Sequence, residues 1–223
     1  MKLAIMQPYF LPYIGYWQLI NAADAFVVYD DVNYMKKSYI NHNSIVVNGK
    51  PWRFTLEVMG ASQNKRINEM VVGNNAGKLL KTISYAYKKS PYYSKIFPLL
   101  EKIFLCDEKN LVKYIVHSLR VVMNYLEIIT PLIYSSNVEK DCTLAGQFKI
   151  VDICKKLNAT IYFNPIGGRA LYDKKVFLNE NIELFLLKNT FNNNSIENLS
   201  IIDVLFCNAK QMVQKMLGAF TLS

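Results

Sequence analysis

The hydrophobic pattern at the start of the chain changes period three times within thirty residues. Leu3 to Met6 is a short continuous apolar run, the signature of a strand buried on both faces, and it leads directly into Gln7-Pro8-Tyr9-Phe10-Leu11-Pro12. Two prolines four apart exclude a helix through that loop, and Pro12 is placed where a helix begins. Over Tyr13 to Ala23 the apolar residues Ile14, Trp17, Leu19, Ile20 and Ala23 follow a mostly helical period. Ala25 to Tyr29 is again β-rich, and Asp30-Asp31 lies just beyond its end. Strand, proline loop, helix, strand predicts a βαβ unit with a parallel sheet.

The pattern then shifts. Ser44 to Val47 and Trp52 to Val58 read as strands around Asn48-Gly49-Lys50-Pro51, a hairpin signal, and the polar stretch Ser62 to Asn75 reads as loop. Helices are predicted over Lys78 to Lys89, Tyr92 to Phe104 and Asn110 to Leu126, the last with an apolar stripe suited to packing. Strands are expected at Ile128 to Ser135, Thr160 to Phe163 and Glu183 to Leu187. A helix is expected over Leu144 to Leu157 with Thr143 as its N-cap, a loop at Asn192 to Ser195, and one helix over Leu199 to Leu217. Together these predict an α/β fold with a mostly parallel sheet flanked by helices and a β-hairpin plus helical insertion. Residues 1–223 form a single domain, within which 36–127 is a hairpin and helical subdomain.

Composition narrows the class. Of 223 residues, 52% are hydrophobic and 19% charged, which excludes a disordered chain. The net charge of +9 is unevenly distributed: residues 1–35 carry −2, residues 36–109 carry +8 and the remainder +3. The basic stretch suits an acidic protein or a phosphorylated small molecule. Scarce arginine and the absence of a recognition motif argue against nucleic acid. The four cysteines (Cys106, Cys142, Cys154, Cys207) have no zinc or redox spacing, and Cys154 and Cys207 read as buried in apolar helices. No apolar run reaches membrane-spanning length and no signal peptide is visible, so the expectation is a reduced, cytoplasmic protein without a bound metal or cofactor.

Candidate chemistry concentrates at predicted strand ends. Gln7, Tyr9, Tyr13 and Gly15 lie in the loop between the first strand and its helix, where open α/β sheets bind ligands. The spacing is similar to the His-x-Gly-His loop of nucleotidylyltransferases, with Tyr13 and Tyr16 in place of the histidines. Of Asp30 and Asp31, strand alternation predicts that one enters a site while the other caps a turn. Tyr34, Lys36, Asn41, His42 and Asn43 crowd donors and acceptors into one short segment. Lys36 could meet a phosphate, and Asp31 or His42 could accept a proton, whereas His117 reads as structural. Asn164, Gly167, Gly168 and Arg169 form a Gly-rich turn after another strand, a second wall for the same crevice. Lys149 and Asp152, three apart on a helix, are expected to pair with each other. No Ser-His-Asp order, phosphate loop or reactive-cysteine motif is present.

Three stretches go further than patterning. They are Met6-Gln-Pro-Tyr-Phe-Leu-Pro-Tyr-Ile-Gly-Tyr-Trp-Gln-Leu-Ile20, Phe26-Val-Val-Tyr-Asp-Asp-Val-Asn-Tyr34 with Asn41-His-Asn43, and Leu199-Ser-Ile-Ile-Asp-Val-Leu-Phe206. They resemble the WbqC-like protein family, and the match extends through Trp52-Arg-Phe-Thr55, Ile67-Asn-Glu69 and Ile150-Val-Asp-Ile-Cys154. The resemblance implies an accessory enzyme of surface-polysaccharide (O-antigen) biosynthesis. The implied reaction is N-acyl or aminoacyl transfer to a nucleotide-linked amino sugar, with an acyl-carrier-protein or CoA thioester as co-substrate and a possible acidic carrier protein as partner. His42 departs from the family pattern, which has Arg between the two Asn. The alternatives are a non-catalytic sugar-nucleotide or glycan-binding accessory protein and a degenerate nucleotidylyltransferase.

Overall fold

A computed structural model of the chain describes residues 1–191 and 198–223. The first unit forms as expected: β1 (Lys2–Met6), α1 (Ile14–Ala22) and β2 (Ala25–Val28). The chain then leaves the sheet for the hairpin β3 (His42–Val47) and β4 (Lys50–Thr55). These are joined at Asn48-Gly49, both in the left-handed region (φ 52° and 75°) that a tight two-residue turn of this hand requires. A second small antiparallel pair, β5 (Val58–Met59) and β6 (Val71–Val72), and a 3-10 turn at Ile67–Glu69 break up the stretch expected as loop. Next come helices α2 (Ala76–Tyr87), α3 (Tyr93–Phe104) and α4 (Leu111–Leu126). The chain rejoins the sheet at β7 (Leu132–Tyr134) and continues through α5 (Gly146–Lys156), β8 (Ile161–Pro165), α6 (Lys174–Leu178) and β9 (Glu183–Asn189). It ends with α7 (Ile201–Cys207), α8 (Lys210–Leu217) and β10 (Phe220–Leu222).

The six-stranded sheet has the order β10-β9-β8-β1-β2-β7, parallel throughout except for β10, which pairs antiparallel with β9. Strand alternation sorts its side chains between two cores. Leu3, Ile5, Ala25 and Val27 face one cluster with Ile150, Ile153 and Phe177 from α5 and α6. Ala4, Phe26 and Val28 face the other, which runs through α1, α2, α3, α4, α7 and α8. The hairpin and the inserted helices therefore bury their apolar faces in the same core as one side of the sheet. Among the described residues no helix is long and apolar enough to cross a membrane.

Several element boundaries differ from expectation for identifiable reasons. Only Leu132–Tyr134 of the run from Ile128 pairs as a strand, because Pro131 donates no hydrogen bond and Ile129 is 95% exposed. The single helix expected from Leu199 is two helices, broken where Asn208 is extended and its amide donates to the Val204 carbonyl at 2.9 Å. That break leaves Cys207 exposed rather than buried, while Cys154 is buried. Thr143 is not an N-cap, since its N–H and hydroxyl both donate to Asp141; Ala145 takes that position. The loop expected at Asn192 to Ser195 lies outside the described residues.

Gln18 ties the C-terminal return to α1. Fully buried, it donates from Nε2 to Asn189 Oδ1 (3.0 Å), Met216 O (2.8 Å) and Ala219 O (3.0 Å). Gln18→Ala strands these acceptors, and the expected loss of stability is about 1–3 kcal/mol, read from urea denaturation midpoints.

Candidate functional site

Strand order locates a candidate site. β1 lies between β2 and β8, so the chain leaves β1 toward one edge of the sheet and later returns on its other side. Ligands of open α/β sheets bind at such a reversal, outside the carboxyl ends of the strands. A crevice of about 1430 Å³ opens there, bounded by Ile5, Met6 and Gln7 from β1 and its loop, Asn164 and Pro165 from β8, and Leu187 to Asn189 from β9. Its volume exceeds the roughly 300–1,000 Å³ of an ordinary small-molecule site.

The loop after β1 forms one wall, and its shape is held by hydrogen bonds to three carbonyls. Tyr16 OH donates to Gln7 O (2.9 Å), and Trp17 Nε1 and the Ile201 N–H donate to Pro12 O (3.0 and 2.9 Å). Asn43 Nδ2 and Ser200 Oγ donate to Leu11 O (2.9 and 2.7 Å). Leu11 has φ +46°, which costs a non-glycine residue about 1–2 kcal/mol, so these donors hold a conformation the isolated loop would avoid. Tyr9 and Tyr13 line the crevice and pack around Tyr39, with ring centroids 5.5 and 5.6 Å away. Burial, with Tyr9 and Tyr39 close by, pushes the Tyr13 phenol up to about 12, so it remains a neutral hydroxyl. A Cβ at Gly15 would come within 3.0 Å of the Tyr13 ring; glycine is what lets that ring lie across the start of α1.

The opposite wall is the turn after β8. Asn164 is buried and donates from Nδ2 to Tyr162 OH (2.7 Å). A Cβ at Gly168 would overlap Asn164 Oδ1, so Gly168 permits the close approach of turn and amide. Gly167 and Gly168 line the crevice; Arg169 is exposed and does not.

The other candidates are placed elsewhere. Asp30 and Asp31 do not divide between site and turn, because β2 ends at Val28 and strand alternation no longer governs them. Both turn to the same segment: Asp30 accepts from the Ser136 N–H (2.9 Å), Ser136 Oγ (2.7 Å) and Ser135 Oγ (3.0 Å), and Asp31 accepts from Ser135 Oγ. Asp31 also pairs with Lys140 at 2.8 Å, with both side chains under a tenth exposed. Asp30 borders a separate cleft of about 540 Å³ with Asn68, His117 and Arg120. Asn41 donates to Leu56 O (2.8 Å) and accepts from Tyr34 OH (3.0 Å), so both side chains serve the fold, as Asn43 does. His42 stacks on Tyr39 and its Nε2 meets Arg53 at 2.8 Å. Burial and the Arg53 charge hold the imidazole below its usual range, hence neutral at pH 7, with its lone pair turned to the guanidinium. Lys36 is exposed, and His117 bonds the Lys102 carbonyl (2.9 Å). Lys149 and Asp152 do not pair: the lysine lies over the Tyr29 ring and Asp152 accepts from the Asp141 N–H.

Among the lining residues that sequence reasoning misses, Asp203 bears the chemistry of most interest. Asp203, in the first turn of α7, borders the crevice and accepts from Tyr87 OH at 2.7 Å. It falls within the Leu199–Phe206 run that carries the family resemblance, but one aspartate in a largely apolar helical run gives no local sign of a site.

The sequence model of the WbqC-like protein family matches residues 7–215, a span that includes both walls of the crevice and Asp203. An uncharacterized protein of Mycobacterium tuberculosis (strain ATCC 25618 / H37Rv), Rv1507c, is 27% identical over 180 residues, covering 79% of this chain and 77% of its own. No solved structure matches.

The Asp31–Lys140 pair gives a pH test. Burial pushes the Asp31 carboxyl up, but hydrogen bonds from Lys140 and Ser135 and the charges of Lys140 and Lys149 outweigh it, leaving it below the usual carboxylate value. Its stabilisation is thus present above the unfolded value of about 3.9 and is lost as pH falls through the folded one. Lys140→Ala leaves an unpaired buried carboxylate. The expected loss is about 3–5 kcal/mol at pH 7, shrinking as Asp31 protonates in acid, measured by denaturation at pH 7 and pH 4.

Proposed function

The chain belongs to the WbqC-like protein family, and from that premise we propose that it is a cytoplasmic transferase of surface-polysaccharide biosynthesis. In this reading it moves an acyl or aminoacyl group from a carrier-protein or CoA thioester to the amine of a nucleotide-linked sugar. The observation that carries the reading is the crevice itself. It lies where open α/β sheets bind nucleotides, its walls present tyrosine faces and hydroxyls beside a buried amide, and its volume leaves room for two ligand portions. Tyr9, Tyr13 and Gly15 on one side and Asn164, Gly167 and Gly168 on the other hold the sugar nucleotide, with Gln7 at the strand end. The excess positive charge of residues 36–109 suits an acidic carrier.

In the reaction the amine nitrogen forms a bond to the thioester carbonyl carbon as the C–S bond breaks. The sulfur leaves as a thiol, and the nitrogen must lose protons. Asp31 and His42 already face cationic donors and do not line the crevice, so we assign them to its supporting structure rather than to proton transfer.

The test is incubation of the purified protein with amino-sugar nucleotides and acyl thioesters, followed by mass spectrometry. An N-acylated sugar nucleotide is the expected product, and Gly168→Ala, which displaces the buried Asn164, lowers its rate at least tenfold while the protein stays folded, its melting temperature falling by only about 2–8 °C. Thermal stabilisation by the sugar nucleotide with no product across the panel would replace this reading with that of a non-catalytic binding protein. Release of pyrophosphate with magnesium and a nucleoside triphosphate would favour the nucleotidylyltransferase alternative.

A further inference from the structure

Among the described residues the crevice presents one acidic side chain, Asp203, and the fold engages one of its two oxygens. Among the described residues that line it, Asp203 is the only carboxylate and Lys188 the only cation; the rest are aromatic, apolar or uncharged. Oδ1 of Asp203 accepts from Tyr87 OH at 2.7 Å. That hydroxyl is itself anchored, accepting from the Val46 N–H at 3.3 Å, and the Tyr87 ring stacks on Phe206 with centroids 4.6 Å apart and planes 9° from parallel. The carboxylate is therefore aimed by a side chain that cannot swing away. Oδ2 has no hydrogen-bond partner among the described residues.

The groups facing Asp203 are Tyr87 from α2, which burial holds in its neutral form, and Cys207 one turn along α7, a surface thiol held up by partial desolvation and the Asp203 charge. No cation of the fold pairs with it among the described residues. Partial burial also holds the Asp203 carboxyl above its usual value, against the opposing effect of the Tyr87 hydrogen bond. A fixed, unpaired carboxylate oxygen in a crevice of this kind is matched by a ligand that brings its own cation.

Resting on the reading of the crevice as a sugar-nucleotide site, we propose that Asp203 receives the ligand's amino group, the ammonium donating to Oδ2, with Tyr87 as the positioning residue. The same carboxylate then takes one proton from the nitrogen. The freed lone pair forms the C–N bond as the thioester C–S bond breaks, and the departing thiolate takes a second proton from nitrogen. The products are an amide retaining one N–H, a thiol and a protonated Asp203.

The test compares binding of paired sugar nucleotides that differ only in bearing a free or an N-acetylated amine, such as UDP-glucosamine and UDP-N-acetylglucosamine and the corresponding 4-amino sugar nucleotides, by titration calorimetry. The wild-type protein is expected to favour the amine in at least one pair by roughly 10- to 100-fold, the worth of a charge-assisted hydrogen bond. Asp203→Asn still accepts from Tyr87 OH, and it is expected to lose that preference while binding the acetylated partner unchanged. Tyr87→Phe, which retains the ring stack, is expected to lose part of it. Equal binding of both members of every pair, or a preference that survives in Asp203→Asn, overturns the role of Asp203. The wild-type comparison alone decides the first of these should a variant fold poorly. Failure of all pairs to bind overturns the reading of the crevice together with the proposal, whereas amine preference without acyl transfer removes only the transferase reading.

Discussion

Three backbone carbonyls, those of Gln7, Leu11 and Pro12, organise much of this molecule. A loop with two prolines cannot satisfy its own backbone through regular structure, and a buried carbonyl without a donor is costly. Here the donors come from the adjoining helix and from two distant parts of the chain: Tyr16 and Trp17 on α1, Asn43 on the first hairpin, and Ser200 and Ile201 at the start of α7. Satisfying one loop therefore fixes where the inserted hairpin and the C-terminal helices sit against the sheet. It also brings Asp203, three residues beyond Ser200, to the rim of the crevice that the same loop walls.

The charges divide along the same lines. Asp30 and Asp31, the acidic pair closest to the sheet's carboxyl edge, are consumed by Ser135, Ser136 and Lys140, which join the ends of β2 and β7. A buried ion pair of this kind is dependable as a structural lock because removing either member leaves the other uncompensated. Among the described residues, the crevice beside it is lined by neutral tyrosines, whose phenols burial holds protonated, with Asp203 as its carboxylate and Lys188 as its cation. On the proposed reading, Asp203 is the group that tells a ligand's amine from its acylated form.

Legibility in the sequence followed the range of the physics involved. The βαβ unit, the hairpin at Asn48-Gly49 and helices α2 to α4 were readable because hydrophobic period, turn chemistry and proline sterics act within a few residues. The two turns that wall the crevice were readable for a related reason: each follows the carboxyl end of a parallel strand, the edge at which open α/β sheets place their crevice. Asn41 and Asn43 misled in a specific way. Polar residues in an apolar setting mark either a ligand or an internal partner, and their partners, Leu56 O and Leu11 O, are 15 and 32 residues away. Asp203 carries no local sign of a site in the sequence, because its partner, Tyr87, is 116 residues distant.

By itself, then, the sequence determined the element types, the parallel sheet, the proline loop and the Gly-rich turn, and the family to which the chain belongs. All of these depend on local sterics, periodicity or motif order. Only the tertiary structure decided which polar side chains are spent on the fold and which remain open to a ligand. That is a question of where each donor and acceptor finds its partner, and for Asp31, Asn43 and Asp203 the partner is supplied by packing across the chain rather than by any neighbour in the sequence.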